Sequence, residues 1–327
     1  MIWLVFWSCT NWNGSDTEFD LTHKTQLEPD PDSYIDLRQD YPDPPDGGLQ
    51  ILSPVFEVPP YSEVIYCYFG TYSGPDTGVN FYQVLEPSRF SHHNQLKTTP
   101  ISQPDGTLED CFYLNAVMSD FVPIFEAVGI DAQADATGNW LNFPEGVAMS
   151  LPSQTQYILD MHFINTTDKT LIVQSGANLG FVPLDEIDHL AGAAQFDSGP
   201  LTIPPGDFTD SFDCEWKQES TILSISSHMH GLGKTFYIDH IKADGTSNRI
   251  YGIDDWDGGV DPYFPEIHSY EPEEFIVEEG DIFRTTCSWN NPTDQYLEFP
   301  AEMCTTAVVL YPLTKPISCI DGVYLED

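Results

Sequence analysis

The residues best suited to chemistry in this chain are histidines. His228 and His230 stand two apart in Ser226-Ser227-His228-Met229-His230-Gly231-Leu232-Gly233, directly after the apolar run Thr221-Ile222-Leu223-Ser224-Ile225. That run reads as a β-strand, and side chains two apart on a strand share a face. Both imidazoles can therefore converge on one metal ion while Met229 turns away to pack. His92 and His93 are adjacent, and adjacent strand residues point to opposite faces. For these two to share a metal they must lie in a turn or a β-bulge. His162 lies in the apolar stretch Tyr157 to Asn165. Met303, in Glu302-Met303-Cys304, is the last candidate, and thioether with imidazole donors favours copper, Cu(I) above all, over zinc.

Strands must position these groups. Short apolar or alternating runs rich in Val, Ile, Thr, Tyr and Phe begin near residue 49 and are separated by Gly, Pro, Asn and Asp. They include Glu63 to Phe69, Asn80 to Leu85, Tyr157 to Ile164, Thr170 to Gln174, Thr221 to Ile225 and Lys234 to Ile241. Phe275 to Val277, Ile282 to Cys287 and Thr305 to Leu310 complete the series. Long helical periodicity is absent. The pattern predicts an all-β protein, sandwich or barrel, and the length suggests two such domains. The expected division is a domain at 49–199 and another at 200–327, with the joint near Ser198-Gly199-Pro200 to Pro204-Pro205-Gly206.

The 327 residues suffice for two hydrophobic cores, and a hydrophobic fraction of 41% belongs to a folded chain. Fifty-two acidic residues against 11 Lys and Arg give a net charge of −41, which argues against nucleic acid and anionic membrane surfaces as partners. Seven cysteines, Cys9, Cys67, Cys111, Cys214, Cys287, Cys304 and Cys319, include no C-x-x-C pair. Six fall within the folded region, so three disulfides and one odd cysteine is the simplest accounting. Disulfides imply an extracytoplasmic location, whether periplasmic, cell-surface or secreted.

Residues 1–9, Met-Ile-Trp-Leu-Val-Phe-Trp-Ser-Cys, resemble the tail of a bacterial lipoprotein signal with Cys9 as the lipidated residue, although no Lys or Arg precedes the apolar segment. Residues 10–48 are acidic and rich in Asp and Pro, the composition of a linker.

Several short motifs in order carry a resemblance over roughly residues 49–319. They are Val84-Leu85-Glu86-Pro87 before His92-His93, then Asn142-Phe143-Pro144-Glu145-Gly146-Val147, and Ala191-Gly192 before Ile203-Pro204-Pro205-Gly206. His228-Met229-His230-Gly231-Leu232-Gly233, Pro272-Glu273-Glu274-Phe275 with Gly280-Asp281, and Glu302-Met303-Cys304 follow. Together they resemble the copper type II, ascorbate-dependent monooxygenases, the family of peptidylglycine α-hydroxylating monooxygenase and dopamine β-monooxygenase. The resemblance implies a fold of two antiparallel β-sandwich domains, jelly-roll-like and disulfide-stabilised, and two copper ions. One would sit on His92, His93 and His162 for electron transfer; the other would sit on the catalytic set His228, His230 and Met303, where O2 binds. It also implies the bridges Cys67–Cys111, Cys214–Cys319 and Cys287–Cys304, ascorbate or a similar one-electron donor, and hydroxylation of an activated C–H bond of a small molecule. The expectation from another class is a non-catalytic, exported copper-binding protein on the same scaffold.

Departures from that family concern substrate. In its peptide-amidating branch an arginine two residues before the H-x-H pair, with Asn and Tyr after the ligand Met, grips a peptide carboxylate. Ser226, Thr305 and Ala307 occupy those positions here, which argues against a glycine-extended peptide. Asp254 to Asp261 is an acidic turn whose spacing does not match an EF-hand loop. His23, His189, His240 and His268 read as surface or structural residues.

Overall fold

The computed structural model describes residues 33–85, 90–99, 102–111, 122–128, 140–256, 267–271, 274–298 and 301–325, except the side chains of His92, His93, 122–128 and Trp140. Residues 1–32, and with them Cys9, the signal-like segment and His23, lie outside it. So does 257–261 of the acidic turn.

Strands account for the regular structure, and the described residues include no α-helix. The first domain stacks two sheets. One runs His189–Leu190, Val147–Leu151, Thr77–Leu85, Gly176–Val182, Leu49–Leu52, and the other runs Leu108–Asp110, Ser62–Tyr72, Thr155–Asn165, Ser91–Thr98, Val122–Val128. Thr155–Asn165 is central in its sheet and buried along most of its length, which matches its near-continuous apolar sequence. Phe56, Tyr66 and Phe163 meet edge to face in the core between the sheets.

The second domain pairs a long sheet with a four-stranded one. The long sheet contains His268–Ser269, Ser220–His228, Thr305–Tyr311, Gly192–Asp197, Ile317–Ile320 and Val323–Tyr324. The four-stranded sheet runs Gly206–Glu215, Ile282–Asn291, Gly233–Ile241, Ser247–Ile253. Ile282–Asn291 alternates strictly: Phe283, Thr285, Cys287, Trp289 and Asn291 are buried while their neighbours are not. Phe196, Trp216 and Phe283 pack against one another in this second core. The chain is thus all-β, built as two antiparallel sandwiches. It changes sandwiches at Ala191, between His189–Leu190 and Gly192–Asp197, ahead of the Ser198 to Gly206 stretch.

Three disulfides join Cys67 to Cys111, Cys214 to Cys319 and Cys287 to Cys304. Such bonds persist in oxidising compartments, so the chain belongs outside the cytoplasm.

The stretch expected to be a linker is folded over part of its length. Tyr34–Asp36 pairs in parallel with Thr170–Val173, and Leu37 N–H donates to Ile172 O at 2.9 Å. Pro42 O accepts from Gln50 Nε2 and Asn178 Nδ2, each at 2.9 Å. Ile35 and Leu37 explain the difference: they pack on the first core and supply the apolar surface that the surrounding composition lacks.

Candidate functional site

The site is built where Ser220–His228 ends. His228 is its last residue, and Met229 to Leu232 form the turn into Gly233–Ile241. His228 is buried and His230 half-buried, and their Nε2 atoms lie 3.2 Å apart with the rings nearly perpendicular. Met229 between them is fully buried in the second core. A Cβ at Gly233 would come within 2.5 Å of the Met229 methyl, so glycine there makes room for this packing.

One segment from the far end of the domain holds the turn. Glu302 Oε2 accepts from His230 N–H at 2.9 Å and Trp289 Nε1–H at 3.2 Å, and Oε1 accepts from Leu232 N–H at 2.6 Å. Burial raises the Glu302 carboxyl above its usual range, and these hydrogen bonds act against that rise. Ala301 O lies 3.2 Å from His230 Nδ1. A carbonyl only accepts, so the ring proton sits on Nδ1 and the His230 Nε2 lone pair faces His228. Met303 follows Glu302, and Cys304 ties the segment to Cys287 in the neighbouring sheet. His228 is held well below the usual imidazole range, by burial first and then by the charges of His230 and His162, so it is neutral at pH 7.

In the first domain His162 lies on the central strand, directly opposite His93. The ladder slips between His162 and Phe163: His93 pairs with His162 and Ser91 with Phe163, which leaves His92 as the extra residue of a β-bulge. The side chains of His92 and His93 lie outside the described residues. His162 is buried, with Nε2 2.8 Å from Glu63 Oε1, and the hydrogen bond from this ring holds the exposed Glu63 carboxyl below its usual range. The charge of His162 reaches His228, and that of His230 reaches Glu63.

Among the described residues, Cys67, Cys111 and Asp160 are the His, Cys, Asp or Glu group whose donor atoms gather within 4.8 Å. The disulfide between the two cysteines removes their thiolates as ligands. His240 is buried against Asp281, Nε2 to Oδ2 2.6 Å. His268 stacks on Tyr270 and His189 on Tyr311.

No family model matches the chain, and no curated protein matches it. Among solved structures it is similar to PNGase F, a glycosylasparaginase from Flavobacterium meningosepticum, at 10% identity and a TM-score of 0.35, over 82% of this chain and 98% of that one. A peptide-N(4)-(N-acetyl-β-D-glucosaminyl) asparagine amidase gives 9% identity and a TM-score of 0.34, over 83% and 98%. A T=1 particle of infectious bursal virus gives 9% and 0.21, over 80% and 69%.

The copper type II monooxygenase resemblance is corrected on these findings: no family model and no curated protein supports the motifs, and the solved structures named above are amidases and a virus particle, not copper monooxygenases. Two coppers, ascorbate, the hydroxylation of a C–H bond and the alternative of a copper-binding protein on that scaffold all fall with it. The motifs misled because they are short and local folding accounts for much of them. Gly206 and Gly280 sit at φ +90°, where turns require glycine, and Cys304 serves a disulfide. Glu63 and the grip of Glu302 were missed. The signal for Glu63 was a lone carboxylate at the head of an apolar run; nothing in spacing ties Glu302 to a turn 72 residues earlier.

Proposed function

We propose that this extracytoplasmic protein binds a divalent transition-metal ion of the zinc type on His228 and His230. The observation that carries this is the 3.2 Å separation of the two Nε2 atoms. Two nitrogens on one tetrahedral ion, with bonds of about 2.0–2.1 Å, lie roughly 3.3 Å apart. The Ala301 carbonyl supports it by fixing the His230 tautomer, as carbonyls behind metal-bound histidines do. Burial keeps His228 neutral and hence able to donate a lone pair. The remaining positions are left for water or a small-molecule substrate, which the ion would polarise as a Lewis acid. His92, His93 and His162 form a second site in the same reading, supported by the bulge at His92. Attachment at the cell surface through a lipid on Cys9 belongs to the same proposal.

Calorimetric titration with Zn2+, paired with the visible spectrum of Co2+-loaded protein, tests it. Wild-type protein is expected to take up an ion with a tetrahedral Co2+ spectrum, and the His228→Ala/His230→Ala variant to lose that equivalent. Unchanged uptake in the double variant would overturn the assignment.

A further inference from the structure

Lys97 and Asp160 form a buried pair that the imidazole sites do not use. Lys97 lies on Ser91–Thr98 and Asp160 on Thr155–Asn165, the neighbouring strand of the same sheet. In the ladder Lys97 stands opposite Ile158, and Asp160 opposite Gln95. The two are therefore diagonal neighbours on one face, within reach of a long side chain. Lys97 Nζ lies 2.7 Å from Asp160 Oδ2, with side-chain exposures of 4% and 1%. The other lysine and arginine ion pairs among the described residues, Arg38–Asp36, Lys217–Glu215, Arg249–Asp239 and Arg284–Asp213, lie at the surface.

The surroundings of the buried pair are apolar. Asp160 stands opposite Cys67 and Ile158 opposite Phe69, and these two join Ile65, Cys111 and Ile158 in a small hydrophobic cluster apart from the main core. The sulfurs of the Cys67–Cys111 bridge and an Asp160 oxygen lie within 4.8 Å of one another. Asp160 Oδ1 is buried and has no hydrogen-bond donor among the described residues. An ionised carboxylate held this way has one oxygen served and the other bare, and taking either ion of the pair out of water is costly. A neutral carbonyl oxygen bears the same isolation more cheaply. The bare Oδ1 therefore suits an amide better than an ion pair.

We propose that Lys97 and Asp160 condense into an intramolecular amide, a covalent rung between Ser91–Thr98 and Thr155–Asn165. The ammonium first returns a proton to the carboxylate, a transfer that removes two charges from an apolar surround. The desolvated neutral amine is then a nucleophile for Asp160 Cγ. The Nζ–Cγ bond forms and the Cγ–Oδ2 bond breaks. Oδ2 leaves as water with the carboxyl proton and one amine proton, and Oδ1 stays as the amide carbonyl. No oxidant or co-reactant is consumed. Contact between the two groups makes the step unimolecular, so folding itself supplies the positioning. The rung would fix the register of the two strands on which His93 stands opposite His162, and it does not depend on a metal at His228 and His230.

Mass spectrometry of a tryptic digest, made from purified folded protein after denaturation and reduction, tests this. Trypsin cuts after a lysine only where the ammonium is free, and the sequence has no lysine or arginine between Lys97 and Lys169. Wild-type protein is expected to give residues 90–169 as one peptide, lighter than its sequence by one water, with fragment ions tying Lys97 to Asp160. Lys97→Arg keeps a cation beside Asp160 but no amine nucleophile, and should be cut at position 97 with no water missing. Asp160→Ala should be cut after Lys97 in the same way. Cleavage of the wild type after Lys97, or a 90–169 peptide of full mass, would overturn the inference. So would a water loss that persists in Lys97→Arg, as a succinimide at Asp105-Gly106 would give.

Discussion

Glu302 bears on more of the site than any other single side chain. Three donors, His230 N–H, Leu232 N–H and Trp289 Nε1–H, depend on its two oxygens. Glu302→Ala leaves them buried without an acceptor, and at about 1–3 kcal/mol for each such group the cost should reach at least about 3 kcal/mol in urea melts. Glu302→Gln keeps one oxygen acceptor and should cost less. Both should weaken the Zn2+ equivalent by roughly 10–100-fold, the range for groups that orient metal ligands. Zn2+ affinity unaltered in both variants would show that the grip on the turn is irrelevant to the imidazoles. At this scale the sequence was readable for types and poor for partners. His228 and His230 could be paired from their spacing, because side chains two apart on a strand share a face. Glu302 could not, since one acidic residue among 52 acquires meaning only from the turn it holds.

Between residue and molecule stand the strands and the contacts that lock them. Asp281, just before Ile282–Asn291, gathers three donors: the His240 ring at 2.6 Å, Glu278 N–H at 3.0 Å and Ala243 N–H at 3.3 Å. Burial works to raise this carboxyl, but the hydrogen bonds from Glu278, His240 and Ala243 outweigh it and hold the group below its usual range. A depressed carboxyl stabilises the fold above its unfolded value of about 3.9 and loses that contribution as pH falls through its folded value. Asp281→Asn should therefore cost about 1–3 kcal/mol at pH 7, by the loss of hydrogen bonds to a charged group. The deficit should shrink only as pH falls below about 3.9 and through the lower folded value, where wild type also loses its charge; denaturant melts at pH 7 and across that acid range measure it, and a constant deficit would contradict the assignment. Strand positions were legible because alternation and turn residues mark them locally: Thr221 to Ile225 grew only to Ser220–His228. Sheet order was not legible. Gly192–Asp197 joins the second sandwich by pairing with Thr305–Tyr311, more than a hundred residues on, and no local pattern announces that partner.

For the whole molecule the dominant quantity is a net charge of −41. Carboxylates spread over a compact body repel, and screening grows as the Debye length falls from about 30 Å at 0.01 M salt to about 8 Å at 0.15 M. The melting temperature should rise by several degrees over that interval, and a flat or falling trend in a salt series would show that ion pairs such as Arg284–Asp213 outweigh the repulsion. The all-β class, two domains and an oxidising environment were readable from composition, spacing and length, whereas alternation alone does not separate a sandwich from a barrel; the fold of residues 34–48 was hidden by their prolines and aspartates. That stretch has a mechanical consequence. Tyr34–Asp36 runs parallel to Thr170–Ile172, so a pull on the residues before Tyr34 acts along the strand and loads its hydrogen bonds together in shear, where a perpendicular pull would peel them one by one. Whatever tugs on the N-terminal segment is felt first at this short clamp and only afterwards at the cores.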